Sequence, residues 1–390
     1  MRNFTPFRSD TRTNKTKRWL GLLTFCIMFF SGYQSFAQVS TYEFAQTTGT
    51  FTSISADGDI VPDSEATTSS TKDTTGWSVA LPFDFNFDGN NYSSIYVNSN
   101  GAASFGANST SSTLISTSGS HLGIAVMNRD LWGVFMTSGV TTVDSDIITN
   151  VGSFHGIEVG KALNSGSGIP SGATITAFDE TAGTITMSAP ATSSSSSAVV
   201  RYGTGKVFTK TEGTAPNRTF VIEWAGYNDY ITSPANSNYM SFQLRLEETT
   251  NVISAVYGEH FNISTTNRDN QIGLRGSSNS DYYNRKAEGT AWTETIEGTA
   301  NNSIVRRNDT IYPPTGLTFT WSPPSCVKPG DLSSSNTLTS STLSWEGSAS
   351  SYDLEWGTVG FTQGSGTPVN NINTNSYFLD NLTPNTSYSF

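Results

Sequence analysis

The chain has 390 residues, a formal net charge of −11 and 14% charged residues, well below the usual share of about 25%. Its 56 serines and 55 threonines stand where a helical surface would need Glu, Lys, Arg and Gln, which disfavours a helical protein. Aromatic residues at 12% are too many for a disordered polymer. The composition is typical of a β-rich, loop-rich secreted protein.

Residues 1–37 have the three parts of a signal peptide. A basic start precedes an apolar stretch, 19–30, which is too short to span a bilayer of about 30 Å. Ser35 and Ala37 then supply the small residues of a cleavage site before Gln38. A buried helix or an uncleaved anchor is the alternative interpretation.

The charge of the remaining chain limits its partners. Without 1–37 it keeps 15 basic and 31 acidic residues, a net charge of −16, which disfavours nucleic acid and anionic membrane surfaces as partners. The sequence has no second apolar run of membrane-spanning length, and we expect no membrane insertion of the mature chain. Cys326 is the one cysteine after residue 37, which excludes an intrachain disulfide in this chain.

Alternation of apolar and polar residues predicts most of the strands. Residues 81–87 alternate Phe with polar side chains, as a half-buried strand does. Asp88-Gly89 predicts a tight turn, and a second strand follows it. That second strand is predicted at 94–98, and further strands are predicted at 102–105, 219–224, 241–247 and 252–257.

Four segments carry a family resemblance: LPFDFNFDGNNYSSIYVNSNGAASFG (81–106), NRTFVIEW (217–224), YMSFQLRLEETTNVISAVYG (239–258) and QIGLRG (271–276). In this order they resemble a β-sandwich domain of secreted Bacteroidetes surface proteins and, more loosely, the nidogen-type extracellular domain. The resemblance covers most of 38–322. It implies type IX export and a C-terminal sorting domain. The stretch 124–131 departs from the Ala-Pro-Phe-Trp-x-Asp-like pattern usual in such proteins.

Residues 140–199 are predicted to interrupt this sandwich, which then comprises 38–139 and 200–322. Three short strands between Gly and Pro turns predict a small β-module. The run from Gly168 resembles G-x-G-I-P-x-G-x-x-I units of bacterial surface and phage-tail proteins. Insertions are tolerated at loop tips. The alternative is one long loop, although ordered loops of this length are uncommon.

Residues 323–390 resemble a fibronectin type III domain. Trp345 takes the place of the core tryptophan, and the run Leu-x-Pro-x-Thr-x-Tyr makes Tyr388 the tyrosine-corner residue. The resemblance implies that the last strand is missing and that Cys326 has its partner beyond residue 390. The predicted fold class is therefore all-β: a β-sandwich with a small inserted β-module, then an incomplete fibronectin type III sandwich.

No motif in the sequence indicates a reaction. The three histidines lie outside any zinc-binding pattern, and we find no nucleophile elbow, phosphate loop or recognisable Cys nucleophile. Asp84, Asp88, Glu223 and Glu247 are predicted to be solvated strand positions, because alternation alone places polar residues there. The chain is predicted not to be an enzyme and to need no cofactor.

Two kinds of binding residue are candidates. Calcium takes carboxylate and carbonyl oxygens, and Asp57, Asp59 and Asp63 cluster with Glu65 in a loop-like stretch, although no D-x-D-x-D-G loop is present. Tyr227, Tyr230 and Tyr239 lie near a loop between two strands, where aromatic rings can stack on sugars. In the alternative interpretation these tyrosines are edge packing, as Trp224 is core packing.

The function class that the sequence favours is binding. One hypothesis is a non-catalytic secreted or cell-surface protein for adhesion, with an extracellular polysaccharide or a surface protein as its partner. Another is the N-terminal accessory region of a secreted hydrolase whose catalytic domain follows residue 390. A spacer without any ligand is the third, and fold analogy cannot choose among them.

Overall fold

The computed structural model describes residues 3–4, 38–65, 73–115, 121–231, 233–234, 237–262, 264–324, 329–347 and 349–390. No α-helix occurs in these ranges, which hold strands and short 3-10 turns such as Val39–Thr41 and Trp292–Glu294. Contacts divide the chain into two compact units, Gln38–Pro323 and Met1–Ala37 with Pro324–Phe390. The signal-peptide prediction, apart from residues 3–4, and Cys326 lie outside the described residues.

The first unit contains two antiparallel sheets. One sheet has the order β2 (Glu43–Thr48), β22 (Leu317–Ser322), β17 (Ile253–Asn262), β16 (Asn238–Glu247), β15 (Thr219–Asp229), β14 (Lys206–Glu212) and β3 (Asp59–Ile60), and β8 (Leu131–Trp132) also pairs with β15. The other has the order β20 (Ile296–Glu297), β19 (Tyr282–Lys286), β18 (Arg268–Arg275), β7 (Leu122–Asn128), β6 (Ala102–Phe105), β5 (Asn90–Asn98) and β4 (Gly76–Phe87), and β21 (Val305–Arg307) also pairs with β18.

One hydrophobic core lies between the two sheets. Every second residue of β4 from Trp77 to Phe87 is buried in it, so the alternation seen in the sequence marks the inner face. The sheets are also joined by hydrogen bonds: Trp224 Nε1 donates to the carbonyl of Asn98 (2.7 Å) and the Tyr257 hydroxyl to that of Val126 (2.9 Å). The prediction of an all-β sandwich is confirmed, and Trp224 is a core residue.

The predicted turn at Asp88-Gly89 and the turn at Gly101 need backbone conformations that favour glycine. Asp88 and Gly89 both have positive φ, 51° and 76°, which matches the twist of the β4–β5 hairpin. Gly101 has φ 71°, and a Cβ there would lie 2.7 Å from the carbonyl oxygen of Met127. The backbone approach at Gly101 therefore excludes any side chain.

Residues 134–203 form a ribbon that carries a small sheet. The ribbon consists of β9 (Val134–Thr141) and β13 (Ser195–Gly203), with Gly139 opposite Ala198. The small sheet has the order β10 (Ile147–Ile148), β12 (Thr184–Met187) and β11 (Ile175–Asp179). Its buried residues, among them Ile148 and Ile185, form a cluster separate from the main core. The boundaries 140–199 remain a prediction.

The second unit contains two small sheets. One has the order β23 (Gly330–Asn336), β24 (Ser341–Glu346) and β27 (Ser376–Leu379). The other has the order β1 (Asn3–Phe4), β28 (Tyr388–Ser389), β25 (Tyr352–Thr358) and β26 (Thr367–Ile372). Trp345 is buried in its core, and the hydroxyl of Tyr388 accepts a hydrogen bond from the backbone N–H of Thr383 (3.0 Å).

Candidate functional site

The three tyrosines predicted to bind a ligand lie in different surroundings. Tyr227 is fully buried in the main core, so the prediction that its ring stacks on a sugar is wrong. Tyr239 is half-buried and packs against His155 and Phe135 of the ribbon and its module, with ring centroids 5.7 and 6.5 Å away. Tyr230 is 46% exposed. Of the three, Tyr230 has the most exposed side chain.

Next to Tyr230 in the chain, Asp229 is the centre of a buried ionic cluster. Its side chain is fully buried and forms ion pairs with Arg129 (Nε–Oδ1, 2.9 Å), Arg268 (Nε–Oδ2, 3.5 Å) and Arg307 (Nη2–Oδ1). The amide of Asn238 donates to Oδ2 (2.6 Å). We call these five residues the Asp229 cluster.

The charges within the Asp229 cluster determine its ionisation. Burial by itself would raise the pKa of Asp229, but the three guanidinium groups outweigh it and hold this pKa below its usual 3.8. Arg307 is completely buried, whereas Arg129 and Arg268 keep 24% and 14% of their side chains exposed. Three cationic groups face one carboxylate, so the cluster is a positive spot in an acidic chain.

Strand pairing brings the Asp229 cluster together. The last residues of β15 pair with β8, with Asp229 opposite Leu131, and the backbone N–H of Asp229 donates to the side-chain oxygen of Asn238 on β16 (3.0 Å). Arg129 directly follows β7 and lies within the stretch 124–131 that departs from the family pattern. In this protein, therefore, part of that stretch contributes to the ionic cluster.

Two exposed tyrosines, Tyr230 and Tyr312, lie near the Asp229 cluster. The ring of Tyr230 meets Trp132 edge-on, 4.9 Å between centroids, and its backbone N–H donates to the carbonyl of Asp130 (3.0 Å). Tyr312 is 42% exposed and stacks on His260, 5.1 Å between centroids. Burial first, and then the charge of Arg307, lower the pKa of His260 to about 3, so its ring is neutral at physiological pH.

The sequence reasoning missed the arginines. A signal was present, because the tripeptide Asn-Arg-Asp occurs at both 128–130 and 267–269. Both arginines of these tripeptides contact Asp229. The two segments are about 140 residues apart in the chain, so only strand order in the sheets could show that they meet.

The calcium prediction at Asp57, Asp59 and Asp63 receives no support. All three side chains are exposed, and Asp57 pairs with Lys210 at 2.7 Å. The neighbouring Glu65 pairs with Lys206 at 3.1 Å. In the part of the chain that the structure describes, no three His, Cys, Asp or Glu side chains are grouped closely enough to hold a metal ion.

Two of the four carboxylates predicted to be solvated are buried instead. Glu223 is fully buried on β15, and its oxygens accept hydrogen bonds from Ser53 Oγ (2.7 Å), the Ile54 backbone N–H (2.7 Å) and Gln243 Nε2 (2.9 Å). Asp88 is 1% exposed. Loop 51–58 covers Glu223. Alternation along one strand gives no information about a loop that covers it. The prediction holds for Asp84, which is exposed.

A comparison with family models now identifies the class of protein. The model of the NIDO-related family matches residues 41–144 and 172–323. The chain therefore belongs to the NIDO-related family, and the prediction of a nidogen-like β-sandwich is confirmed. No curated protein and no solved structure matched the chain.

The family match bears on two further features. The matched ranges leave out 145–171, which lie within the module carried by β9 and β13. Among the described residues, no helix has the length and the apolar character needed to cross a lipid bilayer.

Proposed function

We propose that this protein is a non-catalytic binding protein, secreted or held at the outer cell surface, which contacts an extracellular polysaccharide or a surface protein. Membership of the NIDO-related family and the all-β architecture support an adhesion-type role. The net charge of −11 makes nucleic acid an unfavourable partner. Export through the type IX pathway of Bacteroidetes and cleavage after Ala37 belong to this proposal.

The observation that carries the proposal is the exposed ring of Tyr230, which follows Asp229, the carboxylate that holds the partly exposed guanidinium of Arg129. Tyr230 presents an exposed ring, and Trp132 supports it edge-on. The guanidinium of Arg129 is partly exposed and is oriented by Asp229. An aromatic ring offers an apolar face for stacking, and a guanidinium offers donors to hydroxyl or carboxylate oxygens. Saccharide rings present both kinds of surface.

The Asp229 cluster gives the surface around Tyr230 a rigid base. Leu131 and Trp132 of β8 pair with Asp229 and Asn228 of β15. The side chain of Asp229 also forms the ion pairs of the cluster, which fix this part of the backbone. Binding loses less free energy when the contact residues are ordered beforehand. The surface around Tyr230 is therefore suited to a ligand that makes few contacts.

The fibronectin type III interpretation of residues 323–390 also belongs to the proposal. The hydrogen bond from Thr383 to the Tyr388 hydroxyl is the contact that defines a tyrosine corner, and Trp345 is buried as a core tryptophan is. Such a unit is suited to spacing a binding domain from the point at which the protein is attached.

A glycan array with Tyr230→Ala tests the proposal. Loss of one stacked ring should weaken binding at least about tenfold, the equivalent of roughly 1.4 kcal/mol. Tyr227→Phe is the matched control: it changes a nearby tyrosine, on β15, whose side chain is buried, and should leave binding unchanged. Equal binding by wild type and Tyr230→Ala would rule out this surface. Turnover of a peptide, ester or glycoside by the purified protein would refute the non-catalytic role.

A further inference from the structure

A second buried acidic site lies in the same unit, where two turns and an N-terminal segment meet. Asp88 occupies the turn between β4 and β5, and Asp281 ends the turn between β18 and β19. Their exposed fractions are 1% and 3%. A Cβ at Gly276 would lie 1.8 Å from Asp281 Oδ2 and 3.2 Å from Asp88 Oδ2, so the two carboxylates crowd the same glycine.

Each carboxylate is only half satisfied by the protein. Asp88 Oδ2 accepts a hydrogen bond from the backbone N–H of Ser277 (3.0 Å), and Asp281 Oδ1 accepts one from that of Ser40 (3.2 Å). The remaining oxygens, Asp88 Oδ1 and Asp281 Oδ2, are shielded from solvent and have no hydrogen-bond partner. Two neighbouring negative charges out of water need a counter-charge.

The groups that face the pair do not supply one. Tyr42 approaches from the N-terminal segment and Tyr92 from β5, and the pKa of each is raised by burial and then by the charge of Asp88, with Asp281 also acting on Tyr42. For Asp88, burial and then the charge of Asp281 raise the pKa to about 7. Among the described residues, neither Asp88 nor Asp281 forms an ion pair with a lysine or an arginine.

We propose that Asp88 and Asp281 together bind a calcium ion. The two unpartnered carboxylate oxygens are hard, anionic ligands of the kind that calcium prefers, and carbonyl oxygens of the turns can add to the shell. Magnesium fits less well, because it keeps several of its waters and these oxygens are closed off from solvent. With two carboxylates, the site belongs with weak extracellular sites, for which Kd is about 10⁻⁴–10⁻³ M.

The site explains features that the binding surface near Tyr230 does not use. Gly276 must lack a side chain because the Asp281 carboxylate occupies that space. A bound ion would tie the β4–β5 hairpin, the 276–281 turn and the N-terminal segment at Ser40 together.

Thermal unfolding of the chelator-treated protein at pH 8 tests the proposal. Addition of 10 mM CaCl₂ should raise the unfolding midpoint by about 5 °C, whereas NaCl at equal ionic strength should not. Asp281→Asn should abolish this rise. Asp84→Asn is the matched control, since it removes an exposed carboxylate from the same β4–β5 hairpin, and it should keep the rise. Equal calcium responses in wild type and Asp281→Asn would overturn the proposal.

Calorimetric titration of the wild-type protein with CaCl₂ makes the test independent of the variants. We expect one calcium per chain at pH 8 and an affinity at least about tenfold weaker at pH 5.5, because protons compete for the same oxygens. No binding at pH 8 overturns the proposal. In that case the pair is neutralised by a shared proton, and stability rises on acidification whether or not calcium is present.

Discussion

The Asp229 cluster and the Asp88–Asp281 pair both withdraw carboxylates from water, and they differ in what compensates the charge. Asp229 faces three guanidinium groups and an amide. Asp88 faces a second carboxylate, and each of the two has one oxygen without a partner. The same sandwich thus contains a buried carboxylate that the chain itself pairs with cations and a carboxylate pair that needs a proton or a cation from outside.

The difference indicates different roles. A carboxylate that the chain itself pairs with cations holds its backbone in one arrangement under most conditions, as a base for a binding surface requires. A pair that lacks a counter-charge responds to its surroundings. The pKa of Asp229 is lowered and that of Asp88 is raised, so the two sites should have opposite dependences on pH.

The largest effect is expected from Asp229→Ala. Removing this carboxylate leaves the fully buried guanidinium of Arg307 without its counter-charge, which should cost about 3–5 kcal/mol of unfolding free energy. Asp269→Ala is the control, because Asp269 also pairs with an arginine (2.7 Å) but is 44% exposed, and it should cost at most about 1 kcal/mol. Urea unfolding measures both. Similar losses in the two variants would mean that the buried cluster is no more important than a surface ion pair.

Asp88→Asn should have a smaller effect of the opposite sign. In chelator-treated wild type, the raised pKa of Asp88 means that its contribution to stability is full below pH 3.8 and is lost as the pH rises through about 7. An amide removes the repulsion from Asp281, so the variant should be more stable than wild type at pH 8, by about 2 kcal/mol after allowance for solvent screening. Near pH 4 this gain should vanish. Urea unfolding across this pH range checks it, and a gain independent of pH would contradict the assignment to the carboxylate pair.

How well the sequence predicts each site depends on how far apart in the chain its residues lie. Alternation along β4 and the Asp88-Gly89 turn are local patterns, and they correctly predicted the hairpin and its buried face. The same rule placed Asp88 and Glu223 in solvent, because it describes one strand and not the loops that cover it. Asp281 lies nearly 200 residues from Asp88, and their meeting depends on sheet order.

The prediction of a binding site at the three tyrosines is likewise only partly correct. The neighbourhood of Tyr227, Tyr230 and Tyr239 was recognised as rich in aromatic residues, but burial separates the three. Tyr227 lies on the core side of β15, whereas Tyr230 follows the end of that strand and is exposed. The bulge between Trp224 and Tyr227 in the pairing with β16 changes the alternation at this point. Gly226, which has φ 69°, is the residue inside the strand that marks the bulge in the sequence.

The smallest effect is expected from Arg268→Ala. This variant tests whether two of the three arginines are enough to pair with the Asp229 carboxylate. Arg268 is the most distant of the three guanidinium groups, at 3.5 Å from Asp229, and keeps part of its side chain exposed. Arg129 and Arg307 remain paired with the carboxylate in the variant, so the loss should be about 0.5–1 kcal/mol in urea unfolding. The low pKa of Asp229 should persist, and acid unfolding should begin at nearly the same pH as in wild type. A loss as large as that of Asp229→Ala would show that all three arginines are needed, and the contrast with the Asp88–Asp281 pair would then be one of degree.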